Sequence, residues 1–241
     1  MTEHTDKASP RYWVIIPAAG TGSRMRADRP KQYLSLAGKT VIEHTLDCFI
    51  NHPQITAIFV AIASNDFYWN RLNLGDNENL FQVEGGQERC HSVFNALLYL
   101  LPNANENDWV LVHDAARPCL RRNDIDYLIE TLADDPVGGL LAMPVKDTMK
   151  RAGAEGRVEG TIDRNQLWHA LTPQMFRVGE LFQAIKEALD QNCHITDEAS
   201  AIELMGKQPM LVEGHADNIK ITQADDLLLA EFILQQQGRL S

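Results

Sequence analysis

Two segments of the 241-residue chain combine residue types that handle phosphate and metal chemistry. The first is PAAGTGSRM, residues 17–25, where Ala18, Ala19, Gly20 and Gly22 let the backbone come close to a ligand. Consecutive amide N–H groups in such a turn form an anion-binding nest. Arg24, Arg26, Arg29 and Lys31 follow within eight residues, opposed only by Asp28. Amides backed by cations suit a triphosphate, whereas the pyrophosphate of a dinucleotide can rely largely on a helix N-terminus. Gly20-Thr21-Gly22 begins a GxGxxG pattern, but Met25 stands where the third glycine belongs. The GK[ST] ending of a P-loop is missing as well. The second segment is VLVHDAARP, residues 110–118. Asp114 at the end of an apolar run offers a carboxylate to magnesium, which takes one or two carboxylates plus phosphate oxygens. Capping of the next turn is an equal alternative for that residue. Arg117 can pair with Asp114 or contact a second anion.

Composition removes several other classes of function. A net charge of −11 repels nucleic acid at long range, so a polyanion must be met by a local cluster of cations. The four cysteines, Cys48, Cys90, Cys119 and Cys193, show no CxxC pair, which suits a reducing cytoplasm rather than a disulfide scaffold or zinc ribbon. The eight histidines show no HExxH spacing. The polar opening MTEHTDKASPRY lacks the apolar stretch of a signal peptide, and no run approaches the ~18 apolar residues of a membrane span.

The elements that must position these segments alternate between strand and helix. Residues 12–17, 57–63, 109–112 and 138–145 are short apolar runs of buried-strand type. Residues 40–52, 90–101, 124–132 and 178–189 carry the three-four apolar spacing of amphipathic helices. This order predicts an α/β fold, a mainly parallel sheet with helices on both faces, in one domain spanning residues 1–241. In such sheets ligands bind beyond the carboxyl ends of strands, which selects residues 18–31, 85–92 and 113–118. After Pro144 the rhythm breaks into two short alternating stretches, 147–151 and 157–163, around the turn AGAEG. They hold too few apolar residues for a core of their own, so residues 145–165 are expected to form a β-arm needing another surface, naturally a second subunit. Thr196-Asp197-Glu198 reads as an N-cap and acidic first turn of a helix running to Met205. Short strands at 210–212 and 218–222 and a helix at 225–236 complete the chain.

PAAGTGSRM, PKQY, Gly85-Gly86 with Arg89 and Ser92, HDAARP, DTMKR, DRNQLWHALTPQ, TDEAS and ADNIKIT occur in that order. From about Val14 to Phe232 the chain thereby resembles the 2-C-methyl-D-erythritol 4-phosphate cytidylyltransferases of the non-mevalonate isoprenoid pathway. The resemblance implies a Rossmann-like fold of nucleotidyltransferase type, a homodimer formed through the arm, and magnesium. The implied reaction is attack of methylerythritol phosphate on the α-phosphorus of CTP, giving CDP-methylerythritol and pyrophosphate. It assigns charge stabilisation at the α-phosphate to Arg24 and Lys31, and the metal to Asp114. Ala18, Ala19, Gly20, Gly22, Gly86, Gln87, Ser92 and Ala115 would surround the nucleotide. Arg164 and Lys220 would grip the second phosphate, with Thr148 and Thr172 as hydroxyl partners and Arg117 nearby. Asp217 would orient Lys220 or a substrate hydroxyl. The rival expectations are a cytidylyltransferase for another polyol phosphate, such as ribitol 5-phosphate, and a catalytically silent nucleotide-binding regulator. A dehydrogenase stands further off because of Met25.

Overall fold

The computed structural model describes residues 9–20 and 29–240. Strand β1 (Tyr12–Pro17) runs through the middle of the molecule, and its side chains divide between two cores. Val14 and Ile16 pack with helices α1 (Val41–Leu46) and α3 (Arg122–Leu132). Trp13 and Ile15 pack with α2 (Arg89–Leu100), α4 (Val178–Asp190) and α5 (Glu198–Leu204). Burial on both faces removes any need for polar alternation, which is why the strand reads as one apolar run.

The described residues form a seven-stranded sheet. Its other strands are β4 (Ile55–Ile62), β5 (Leu80–Glu84), β6 (Trp109–Val112), β7 (Gly138–Pro144), β10 (Trp168–Arg177) and β11 (Met210–Glu213). Their order across the sheet is β11-β7-β10-β6-β1-β4-β5. All neighbours pair in parallel except at β10, which is antiparallel to both β6 and β7. From β1 the chain moves outward to β4 and β5, then returns by α2 to β6 on the opposite side of β1. That reversal is a topological switch point, and the loops after β1, β5 and β6 meet there.

Two strands of this sheet lie outside the sequence expectation. β5 is an edge strand with one buried residue, Val83, so it carries no continuous apolar signal. β10 contains His169, Pro173 and Gln174, and its pairing with β7 is interrupted between Ala170 and Gln174. Other elements differ in detail. The helix expected over 40–52 is regular only through Val41–Leu46, opened by a capping box between Thr40 and Glu43, and continues as turns. The cap of α5 is Asp197 rather than Thr196, because its carboxylate accepts from the Ser200 amide. Residues 218–222 form no strand. They lie against the loop after β6, tied by Ile221 N–H to the Ala116 carbonyl at 2.8 Å.

The stretches on either side of AGAEG pair as β8 (Met149–Ala152) and β9 (Val158–Ile162), a two-stranded sheet separate from the central one. Both are exposed apart from Met149 and Ile162. A second small pair, β2 (Ser35–Leu36) with β3 (Lys39–Thr40), lies beside α6 (Asp225–Gln236). Among the described residues no helix is long and apolar enough to cross a membrane.

Candidate active site

The loops after β1, β5 and β6 and the segment before α6 enclose a cavity of about 300 Å³. One wall is Ala18, Ala19 and Gly20. The Ala18 amide still belongs to the sheet, donating to the Ala61 carbonyl at 2.7 Å. Buried Gln32 fixes this wall, since its Nε2 donates to the carbonyls of Ala18 at 2.7 Å and Gly20 at 3.1 Å. The facing wall begins at Gly85 and Gly86, where side chains cannot fit. A Cβ on Gly85 would stand 2.4 Å from the Ala19 Cβ and 3.1 Å from the Ile62 carbonyl oxygen. Gly86 N–H donates to Ser92 Oγ at 3.0 Å, folding the loop back onto α2.

Charge in the cavity centres on Asp114, nearly buried at the end of β6. Its Oδ1 accepts from Arg89 Nε at 3.0 Å, and its Oδ2 meets Lys220 Nζ at 2.9 Å and Arg117 Nε at 3.4 Å. Burial alone would raise the carboxyl pKa, but Arg89, Lys220 and Arg117 hold it well below the usual carboxylate range. Arg89 in turn is forked onto the buried Glu198 at 2.6 and 2.9 Å. Bidentate pairing of this kind fixes the guanidinium plane as well as its charge. Glu198 thus offsets part of the Arg89 charge, which Asp114 faces together with Lys220 and Arg117. Lys31 lines the same cavity and donates from Nζ to the Ile221 carbonyl at 3.0 Å, one residue from Lys220 in sequence.

A directed chain of hydrogen bonds sets the backbone of Asp114. His113 is fully buried, and burial pushes its pKa down to about 4, so the ring is neutral at pH 7. Its Nε2 lies 3.1 Å from the Arg117 carbonyl, an acceptor only, so Nε2 carries the proton. Nδ1 therefore accepts from the Thr172 hydroxyl at 2.9 Å, and Thr172 Oγ1 accepts from Asp114 N–H at 3.2 Å. Each donor has one acceptor and each ring nitrogen one role. Strand β10, invisible to the apolar pattern, is what delivers Thr172.

The model of one protein family, 2-C-methyl-D-erythritol 4-phosphate cytidylyltransferase, matches residues 12–236. The chain belongs to this family. It is 58% identical over 220 residues to the Pseudomonas aeruginosa cytidylyltransferase of that name, covering 91% of this chain and 94% of the relative. A Pseudomonas putida relative is 56% identical over 219 residues, covering 90% and 93% respectively. Among solved structures, the Francisella tularensis 2-C-methyl-D-erythritol 4-phosphate cytidylyltransferase superposes with a TM-score of 0.81 at 39% identity, covering 93% of this chain and all of that one. The Thermus thermophilus enzyme superposes at 0.73 and 30% identity, covering 93% and 99%. The chain is therefore a nucleotidyltransferase of cytidylyltransferase type, and the dehydrogenase expectation falls.

The cytidylyltransferase resemblance assigned more residues than this cavity gathers. Ala18, Ala19, Gly20, Lys31, Gly86, Gln87, Ser92, Asp114, Ala115 and Lys220 all line it. Gly22 and Arg24 lie outside the described residues. Arg117 takes the first of its two alternatives, since it is buried between Asp114 and the Asn218 carbonyl, to which it donates at 2.7 Å. Two residues have partners that the sequence did not announce. The Thr172 hydroxyl is buried and bonded to His113 Nδ1 and the Asp114 amide, so it helps to set the Asp114 backbone. Asp217 bonds partners other than Lys220, whose Nζ lies 2.9 Å from Asp114 Oδ2. The Asp217 carboxylate accepts from Arg121 at 2.8 and 2.5 Å and from Gln237 at 3.1 Å. Thr148 is exposed just before β8, and Arg164 donates to the Lys146 carbonyl at the base of the hairpin; neither lines the cavity. Gln32 of PKQY was not expected as a positioning residue, and Glu198 of TDEAS was expected in a helix cap first and in the site only second. Their partners are distant in sequence, so spacing alone gave no reason to single them out.

Proposed function

We propose that the cavity holds CTP and that the chain transfers its cytidylyl group to 2-C-methyl-D-erythritol 4-phosphate. The presence of Lys31, Lys220 and Asp114 in the lining of one cavity that glycines help to wall, with Lys220 paired to Asp114, is the observation that carries this reading. An oxygen of the methylerythritol phosphate forms a bond to the α-phosphorus, the bond to the β-phosphate bridging oxygen breaks, and pyrophosphate leaves with the electron pair. Both reactants are highly anionic, so the protein's task is positioning and charge stabilisation. Lys31 and Lys220 supply positive charge, and the loops after β1 and β5 set the nucleotide's place.

Magnesium is part of the proposal, and the donor set fits it in a limited way. Asp114 is one carboxylate whose two oxygens already face three cations, so it would hold a metal only together with phosphate oxygens and water. Bound there, the ion would neutralise charge on the triphosphate. Thr148 and Arg164 sit at the hairpin, away from their own chain's cavity, which supports a homodimer in which the arm completes the neighbour's site. The four unpaired cysteines are in keeping with a cytoplasmic enzyme.

The test is pyrophosphate release with magnesium, each nucleoside triphosphate in turn, and a panel of polyol phosphates. Release confined to CTP with methylerythritol phosphate is expected. Equal or faster release with ribitol 5-phosphate would transfer the assignment to that substrate, and no release with any pair would leave the silent regulator.

A further inference from the structure

The first turn of α2 carries three metal-binding side chains that the transfer reaction does not use: Glu88, Cys90 and His91. Cys90 Sγ lies 3.7 Å from His91 Nδ1 and 3.8 Å from Glu88 Oε2. The three ligand atoms all fall within 4.8 Å of one another. A tetrahedral zinc ion with Zn–S of about 2.3 Å and Zn–N of about 2.0–2.1 Å separates its sulfur and nitrogen ligands by roughly 3.5–3.6 Å. The two sulfur-based distances in this cluster are already close to that edge. The remaining carboxylate–imidazole edge closes by rotation of Glu88, whose side chain is exposed.

We propose that Glu88, Cys90 and His91 form a binding site for a thiophilic divalent ion of the zinc type, with its fourth position left to water. The ligand chemistry selects this class. Thiolate and imidazole suit zinc and its neighbours, whereas magnesium requires oxygen ligands. One thiolate and one carboxylate balance the ion's charge. The backbone that carries the ligands is held before any ion arrives. The Glu88 carbonyl accepts from Ser92 N–H at 3.1 Å and from Ser92 Oγ at 3.2 Å. Gly86 packs against His91 so closely that a Cβ would stand 2.3 Å from the His91 Cβ. All three ligands come from four consecutive residues, so little chain entropy is lost on binding. The donor set is separate from Asp114, but Glu88 also lines the nucleotide cavity, which puts the ion on its rim.

Titration of the chelator-treated, full-length protein with Co²⁺ tests this site optically. The expected result is one equivalent of bound cobalt showing a thiolate-to-metal charge-transfer band and the strong visible bands of a tetrahedral ion, both removed by added Zn²⁺. Cys90→Ser, a near-isosteric change, should abolish the charge-transfer band. His91→Ala should weaken cobalt binding by roughly tenfold or more, at least the loss seen when a supporting residue is removed from a metal site. Cys193→Ser, which alters the other half-buried thiol, should leave the spectrum intact. Absence of the charge-transfer band in the unaltered protein, or its survival in Cys90→Ser, overturns the proposal.

Discussion

Asp114 faces more positive charge than a single carboxylate can balance, and Glu198 is what keeps the surplus small. Replacing Asp114 with Asn would leave Arg117 buried beside Lys220 with no anion between them. Removing one partner of a buried pair costs about 3–5 kcal/mol, and urea unfolding of Asp114→Asn at pH 7 should show a loss of that size. The sign with pH follows from the depressed pKa. The carboxylate's stabilisation is complete above the ordinary Asp pKa of about 3.9 and disappears as pH falls toward the lower folded-state value. The gap between variant and parent should therefore narrow below about pH 4. A gap that stays constant into acid would show that the charge is not what stabilises. For Lys31 we propose a role in the reaction and not in the fold. Lys31→Ala should lower turnover about a hundred- to thousand-fold, the usual cost of losing one transition-state donor, while CTP binding changes far less. Parental turnover in that variant would remove Lys31 from the catalytic role.

The loop after β5 is an element whose shape, more than its chemistry, makes the nucleotide wall. Gly85→Ala forces its methyl into Ala19 and the Ile62 carbonyl, and overpacking of this kind costs about 1–3 kcal/mol. Because the clash pushes on the opposite wall, CTP affinity should fall along with the melting temperature; calorimetric titration showing unchanged affinity would mean that the two walls move independently. The same element shows what a sequence reveals. The glycines stand out by type, and β1 and β6 stand out as unbroken apolar runs. β10 does not, because its polar residues are satisfied by partners far along the chain. Buried Gln174 donates to Asp197 at 2.9 Å and accepts from Ala199 N–H at 2.8 Å, bonds no local pattern announces. In the site, Asp114 was legible as a carboxylate ending a strand. Its retinue was not, since Arg89, Thr172 and Lys220 reach it only through the fold.

At the scale of the whole molecule, the proposed homodimer can be tested by complementation. If the hairpin serves a neighbouring chain, Lys31→Ala and Arg164→Ala are lesions of different sites and should complement. Mixing the two inactive variants under conditions of verified subunit exchange should restore up to about one quarter of parental activity, because half the random dimers are hybrids and each hybrid keeps one intact site. No recovery would place Arg164 in its own chain's reaction or outside the reaction altogether. The hairpin's attachment also bears on how such an appendage persists. Pro144 and Trp168 are register partners on adjacent antiparallel strands, and Val145 N–H still donates to the Leu167 carbonyl at 2.9 Å. β8 and β9 are thus a lengthened turn between strands that already meet. Loop-closure entropy grows only with the logarithm of length, about 0.6 kcal/mol per doubling, so the central sheet is nearly indifferent to how long this turn becomes. Natural variation can lengthen or rebuild this arm while the central sheet goes on folding as before.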